Sequence, residues 1–418
     1  MLESLKIKSL IMKIPIICHH LAIFAMMLCL CQRAQASQIS LSEIMRLVST
    51  SHPQLEQQSR LVDESSALIE SAGWQKYPNL SFDYGASDKS SRYSSATLSL
   101  PVYDGGVSSI DSDIQISEKA AREARLKRVK HDLLMTSVYS FFGAIRAKRS
   151  TEITHESLAA LSDMRASAER RVKADVSPAA DLHYLDSQIA LQRLKLSDFR
   201  RDRALALSQL REASGKDLGG FALSYKVKEI TSAPSELVAA AYLNSATRIE
   251  IESKIRKASL ERDKRRATIK PRVSLNYKKQ FLDPLVRADS EQLYLSVNFS
   301  TGRGFSYSSE VAAGNMRLAA VRDEAAAFKR TSVREVEGKL INLERLALQI
   351  PALKMAVEAR TNMVNSYSRL FIAGTRSWLD LLNAQKEKYQ AEIDLDSALL
   401  DLDMARAELE LMVGEYEY

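Results

Sequence analysis

Five carboxylates near the end of the chain, Asp380, Glu387, Asp394, Asp401 and Glu408, recur every seven residues. In a coiled coil of 3.5 residues per turn that spacing puts all five on one line down a helix. Such a line concentrates negative potential; it does not set up acid–base chemistry, which needs two carboxylates facing each other across a reacting bond. It can form stacked rings along a pore, or a solvated face paired with Lys and Arg. Asn383, Gln390 and Ser397 run alongside it. The corresponding first-half positions, Asp181, Gln188, Lys195, Asp202 and Gln209, are polar but mixed in sign. Catalytic signatures are missing. His52, His131, His155 and His183 lie without partners at metal-ligand spacing, and there is no nucleophile elbow or dinucleotide fingerprint. Thr301-Gly302-Arg303-Gly304 precedes a helical stretch but lacks a phosphate-loop lysine, so it reads as a strand-to-helix turn. The chemistry on offer is electrostatic, and no cofactor is implied.

The elements that must position these charges come from a duplication. With only 14 glycines and 9 prolines, and long runs of Ala, Leu, Arg, Glu, Lys and Gln, most of the chain is expected to be helix. A helical segment over residues 42–75 leads to Leu80, Phe82 and Tyr84 alternating with polar residues, the pattern of a half-buried strand. Ala96, Leu98, Leu100 and Val102 give a second strand, and Asp104-Gly105-Gly106 opens a very long helix. The same order returns about 195 residues later: a helix over 235–269, a strand around Val273, Leu275 and Tyr277, another around Leu293, Leu295, Val297 and Phe299, then a second long helix. That helix, over 306–371, spans on the order of 100 Å, a coiled-coil rod expected to bend near Pro351. Each half ends in a helical hairpin, turning at Val176-Ser177-Pro178 and at Ala373-Gly374-Thr375, so Asp181 and Asp380 correspond. Residues 37–218 form the first repeat, 219–234 a linker and 235–418 the second repeat.

Residues 1–36 read as an export signal: Lys6, Lys8 and Lys13, an apolar stretch from Leu21 to Leu30, and Ala34-Gln35-Ala36 before Ser37. Cys18, Cys29 and Cys31 all fall within it, so the mature chain is expected to have no disulfide and no thiolate metal site. Loss of Lys6, Lys8, Lys13 and Arg33 against Glu3 lowers the formal charge from +7 to about +4. Charges of both signs are interspersed, the mark of a solvated helical surface and not of a nucleic-acid footprint. After the signal no apolar run is long enough for a transmembrane helix. The strands, however, each carry one apolar and one small or polar face, as a membrane barrel requires. Four strands are too few to close, and an open sheet in lipid leaves its edges unsatisfied, so membrane insertion demands association.

On these residues the sequence resembles the TolC-like outer membrane efflux family. The resemblance is carried by Ile39-Ser40-Leu41-Ser42-Glu43-Ile44 with His52-Pro53-Gln54-Leu55, by Ser99-Leu100-Pro101-Val102-Tyr103-Asp104-Gly105-Gly106, by Ala373-Gly374-Thr375-Arg376-Ser377-Trp378-Leu379-Asp380, and by the last helix from Leu382-Asn383-Ala384-Gln385 to Gly414. It implies a mainly α fold: a homotrimer with a twelve-stranded outer-membrane barrel in lipid, continuing into a long periplasmic coiled-coil tunnel. It also implies a periplasmic adaptor docking at the hairpin tips, Asp175, Val176, Ser177, Gly374 and Thr375, and an inner-membrane transporter. The stretch from Ser300 to Ala313 looks more like the branch paired with type I, ABC-driven exporters of adhesins than the drug- or metal-efflux branch. By similarity, Asp181 and Arg376 link neighbouring helices to hold a periplasmic gate closed. Asp380 would narrow the pore, which favours a luminal acidic line, and Asn383 stands where a second acidic ring is expected. Asp175 departs from the usual glycine. The rival from another class is a periplasmic coiled-coil adaptor or scaffold without a pore.

Overall fold

The computed structural model describes residues 38–86, 92–282, 290–301 and 306–414. The export signal and the Gly302-Arg303-Gly304 turn lie outside the described residues.

In chain order the elements are β1 (Gln38–Ser40), α1 (Leu41–Ser51), α2 (Pro53–Trp74), β2 (Asn79–Ala86), β3 (Arg92–Tyr103), α3 (Val107–Lys173), α4 (Ala179–Ser214), β4 (Ala222–Ser224), α5 (Pro234–Asn244), α6 (Ala246–Ala267), β5 (Arg272–Leu282), β6 (Ser290–Asn298), α7 (Tyr307–Ile372) and α8 (Trp378–Val413). The duplication is therefore plain in the structure: short helix, medium helix, strand pair, long helix and returning helix, twice over. Each opening helical segment is broken once. His52 caps α2, its Nδ1 accepting from Gln54 N at 3.2 Å with Pro53 at the first helical position, and Ser245 caps α6, its Oγ accepting from Arg248 N at 3.4 Å. α3 and α7, of 67 and 66 residues, are each about 100 Å long, and α7 continues through Pro351.

The helices lie side by side in an order that repeats the order of the strands. α2 and, below it, α4 pack on α3; α3 packs on α6 and, below it, α8; both of these pack on α7. The sheet runs β2-β3-β5-β6, antiparallel throughout. One lateral edge of the chain is thus β2 above α2 and α4, and the other is β6 above α7. The strand-to-helix turn is fixed by Asp104, whose carboxylate accepts from Gly106 N at 2.8 Å and Ser108 N at 2.7 Å. Gly105 has φ +72°, and a Cβ there would meet Lys270 Cβ at 2.8 Å, so neither its backbone nor its surroundings admit a side chain.

Residues 219–234 prove to be more than a linker. β4 pairs in parallel with β1, and Phe221, Leu223, Tyr225 and Val227 pack on a core built from α1 (Ile44, Met45, Val48), α3 (Val138, Phe141, Phe142), Leu210 of α4 and Leu400 of α8. Tyr225 meets the Phe142 ring edge-on at 5.0 Å. The segment joining the repeats therefore straps the middle of the bundle.

Candidate functional site in the sheet and the helical tips

Register sorts the sheet into two faces. Leu80, Leu98, Tyr277 and Leu293 form one row across all four strands, and Leu100, Leu275 and Leu295 another. All but the half-buried Leu100 are exposed in the single chain, Leu293 at 69% and Leu295 at 60%. Toward the strand-connecting loops the same face carries Lys279 and Glu291, neutralised as a 2.9 Å ion pair. On the other face Ser81, Thr97, Lys278 and Gln292 align, while Ser95 and Asn276 are buried, Asn276 Nδ2 donating to Ser296 Oγ at 2.8 Å. An apolar exposed face backed by a polar one is the wall of a water-filled barrel seen from lipid. Its edges, β2 and β6, have no further strand partner among the described residues.

At the far end the two hairpins turn by one backbone device. In the first, Val176 N donates to Arg171 O at 2.9 Å and Asp175 N to Val172 O at 3.0 Å; in the second, Thr375 N donates to Leu370 O at 3.0 Å and Gly374 N to Phe371 O at 3.1 Å. Both close a Schellman-type turn on a left-handed residue, Asp175 at φ 56° and Gly374 at φ 76°. Only the second tip has a capping side chain, Ser377 Oγ accepting from Asp380 N at 3.1 Å, where Pro178 stands in the first. The tips are level and tied together. Arg171 lies 4.3 Å over the Phe371 ring and its Nη2 donates to Phe371 O at 3.2 Å. Behind them Leu161, Ala168, Leu185 and Leu382 form a small core, with Trp378 against Tyr184 at 5.8 Å. The sequence shows Arg171 as one of several cations in the last turn of α3, where the helix dipole favours them; nothing in it points to a partner 200 residues away.

Within one chain Arg376 does not meet Asp181. Its Nη1 lies 3.7 Å from Asp380 Oδ2 and its guanidinium 4.9 Å over Tyr367. Asp181, in the first turn of α4, makes no side-chain ion pair among the described residues. Asp175, Val176, Gly374 and Thr375 are exposed at the two turns, Ser177 is partly covered, and Asn383 is exposed on α8.

The acidic line is not one solvent-facing row. Asp380 pairs with Arg376, Glu387 with Arg360 of α7, and Asp394 accepts from Gln390 Nε2 at 2.8 Å. Asp401 pairs with Arg146 of α3, and Glu408 is buried, 1% exposed, against Lys339 of α7. A stacked ring at Glu408 is thereby corrected. The cause is geometric: a helix of 3.6 residues per turn drifts about 20° per heptad, so four heptads carry the line about 80° round α8. Two of the five, Glu387 and Glu408, pair with α7 and one, Asp401, with α3, while neighbouring carboxylates of α8 take further partners. Arg149 Nη1 lies 3.0 Å from Asp396 Oδ1, and Tyr225 OH donates to Asp403 Oδ2 at 2.9 Å. Partial burial and then the Asp403 carboxylate push the Tyr225 hydroxyl up to about 12. Burial alone would lower Lys339, but the hydrogen bond and charge of Glu408 outweigh it and hold the ammonium above its usual range.

Among the described residues no group of three or more His, Cys, Asp or Glu gathers to hold a metal, and no helix is long and apolar enough to cross a membrane. Fold and sheet together give a long helical bundle that ends in an open four-stranded sheet with one apolar face. Residues 45–216 match the profile of the family described as outer membrane efflux protein. None of the curated proteins matches the sequence. Solved structures share the fold over nearly the whole chain. A membrane protein from Pseudomonas aeruginosa is 16% identical with a TM-score of 0.77, over 89% of this chain and 90% of that one. The Vibrio cholerae outer membrane protein VceC is 14% identical with a TM-score of 0.76, over 90% and 96%. The open state of the Neisseria gonorrhoeae MtrE outer membrane channel is 15% identical with a TM-score of 0.73, over 90% and 88%. The chain therefore has the fold of TolC-like outer-membrane channels over nearly its whole length, and its residues 45–216 carry the outer membrane efflux protein profile. Members of this family are trimers that work with periplasmic adaptors and inner-membrane transporters.

Proposed function

We propose that three copies of this chain close a twelve-stranded barrel above a tunnel of side-by-side helices, and that this conduit exports protein cargo for a type I, ABC-driven system. The observation that carries the conduit is the open four-stranded sheet, apolar on one face and polar on the other, with neither edge paired among the described residues. In hydrocarbon those edges must be satisfied, and joining β6 of one copy to β2 of the next does so three times around a ring. The chain hydrolyses nothing; transport energy comes from the inner-membrane partner. The type I assignment is supported by the resemblance of residues 300–313 alone. Deleting the gene tests it: surface protein release should fall while drug and metal sensitivity stay unchanged, and the opposite pattern assigns the channel to small-molecule efflux.

The gate reading follows from the same ring. Asp181 and Arg376 form no ion pair with each other inside the chain, so the gate restraint is drawn between copies, from Arg376 of one to Asp181 of the next. Opening then releases Arg376 from the neighbour's Asp181 and lets the hairpins swing outward. The exposed turn residues, Asp175 to Ser177 and Gly374 to Thr375, are offered to the adaptor, with unlike chemistry on one backbone shape.

A further inference from the structure

Buried polar side chains are almost always hydrogen-bonded, so a cluster that is not needs a cause. One such cluster lines a groove of about 570 Å³ between α4 and α8, with α3 at its floor. Ser157 of α3, Gln192 of α4 and Gln385 of α8 are 6%, 7% and 8% exposed, and none makes a side-chain hydrogen bond among the described residues. Gln192 Nε2 is out of solvent with no acceptor. Half-buried Gln188 adds a fourth unbonded group, one turn nearer the tip. Leu191 and Leu194 stand exposed on the same wall. The charges balance, Lys195 and Lys386 against Asp198 and Glu387; Lys195 is drawn 4.9 Å over the Tyr389 ring and Glu387 is drawn to Arg360.

Two observations turn this groove toward the pore. Asn383, Lys386 and Gln390, at i, i+3 and i+7, share one exposed face of α8, and Asn383 stands beside Asp380 at the constriction in the gate reading. On α3, Ser157 is nine residues, about two and a half turns, from Lys148, which lies under the strap of residues 219–234. The groove is therefore on the face of the wall opposite the strap. Gln188 is 13 residues from Asp175 and Gln385 is 11 from Gly374, so the groove begins about 16–20 Å above the tips.

We infer that this groove is the first binding site inside the pore for cargo, and that its ligand is an extended, uncharged stretch of polypeptide. This rests on the protein-export reading above and adds the place where cargo touches the wall. A peptide backbone carries a donor and an acceptor at nearly every residue, and a glutamine amide offers both. Amides on the α4 and α8 walls can therefore hold a backbone of any sequence. Leu191 and Leu194 take apolar side chains, and the balanced charges favour neither sign. The α4 wall runs from Gln188 to Asp198, about 15 Å, the length of about four or five extended residues.

The Gln192→Leu/Gln385→Leu channel tests the site in planar bilayers, with a short unstructured peptide of Gly, Ser, Thr and Val added on the side of the barrel mouth. The wild-type channel should show discrete current blocks, and the double variant should show blocks about tenfold shorter at unchanged peptide-free conductance, because two hydrogen bonds to the peptide are lost. Thermal melts separate this from a structural role. Neither amide is bonded within the fold, so the variant should melt no lower than the wild type. A lower melting temperature or equal block durations would overturn the inference. So would glutamine-dependent block by an aromatic cation such as ethidium and not by the peptide, which would make the groove a small-molecule site. The gene deletion scores the export reading separately. If loss of the gene stops protein release while peptide blocks ignore both glutamines, the groove alone is overturned; if loss of the gene changes only drug or metal sensitivity, the export reading falls and the cargo role of the groove with it.

Discussion

The most instructive single perturbation is Lys339→Met. Lys339 reaches from α7 to Glu408 on α8, whose side chain is only 2% exposed, while Lys339 itself keeps 28%. Removing the cation leaves a carboxylate out of water with Tyr139 as its remaining neighbour, and breaking a buried pair in this way costs about 3–5 kcal/mol. Each 1.4 kcal/mol is about tenfold in an equilibrium constant, so the unfolded population should rise at least about 100-fold. Replacing both partners, as Lys339→Met with Glu408→Gln, removes the charge together with its desolvation penalty and should recover most of the loss. The assay is urea unfolding followed by helical circular dichroism, with all variants in one detergent. The single variant should lose stability strongly and the double variant only slightly. A Lys339→Met protein that unfolds with the wild type would refute the claim that Glu408 is a buried structural charge, and would return it to the solvent-facing line.

Four further outcomes follow from the geometry. Asp175→Gly should stabilise the first tip by about 1 kcal/mol, because a left-handed residue with a side chain carries strain that glycine does not, and Gly374→Ala should cost a similar amount; thermal melts of the paired variants decide. Tyr225 titrates near 12 when folded and near 10 when unfolded, so its contribution is complete below pH 10 and is lost as pH rises through 12. Tyr225→Phe should therefore flatten the alkaline decline of stability, and an unchanged decline would place its cause elsewhere. Leu293→Arg, on the apolar face, should cost about 2–4 kcal/mol per copy near the bilayer midplane and deplete the protein from outer membranes, whereas Thr97→Arg on the opposite face should leave it there. Arg376→Ser should raise ion leak through the closed channel in planar bilayers; an unaltered closed-state conductance would remove Arg376 from the gate.

How far the sequence discloses this molecule depends on how local the cause is. The strand pairs were legible because alternation is a two-residue signal, and Leu80, Leu98, Tyr277 and Leu293 do share one row. The long helices were legible because glycine and proline are scarce, and Asp175 and Gly374 share one turn. β1 and β4 were not, since three residues carry no period and their pairing spans the whole first repeat. The acidic line misled at Glu408, the end away from the tips, because a strict seven-residue spacing stays on one face only where the helix is wound to 3.5 residues per turn. Arg171 on Phe371 and Lys339 on Glu408 join distant segments, and no spacing rule announces them.

Everything about the conduit depends on three copies closing one barrel in the outer membrane. Native mass spectrometry of the protein extracted from that membrane in mild detergent tests this directly. The account predicts one dominant species of three chains that falls to single chains on heating. A soluble periplasmic species of one chain, recovered without detergent, would contradict it and leave a coiled-coil scaffold with no pore.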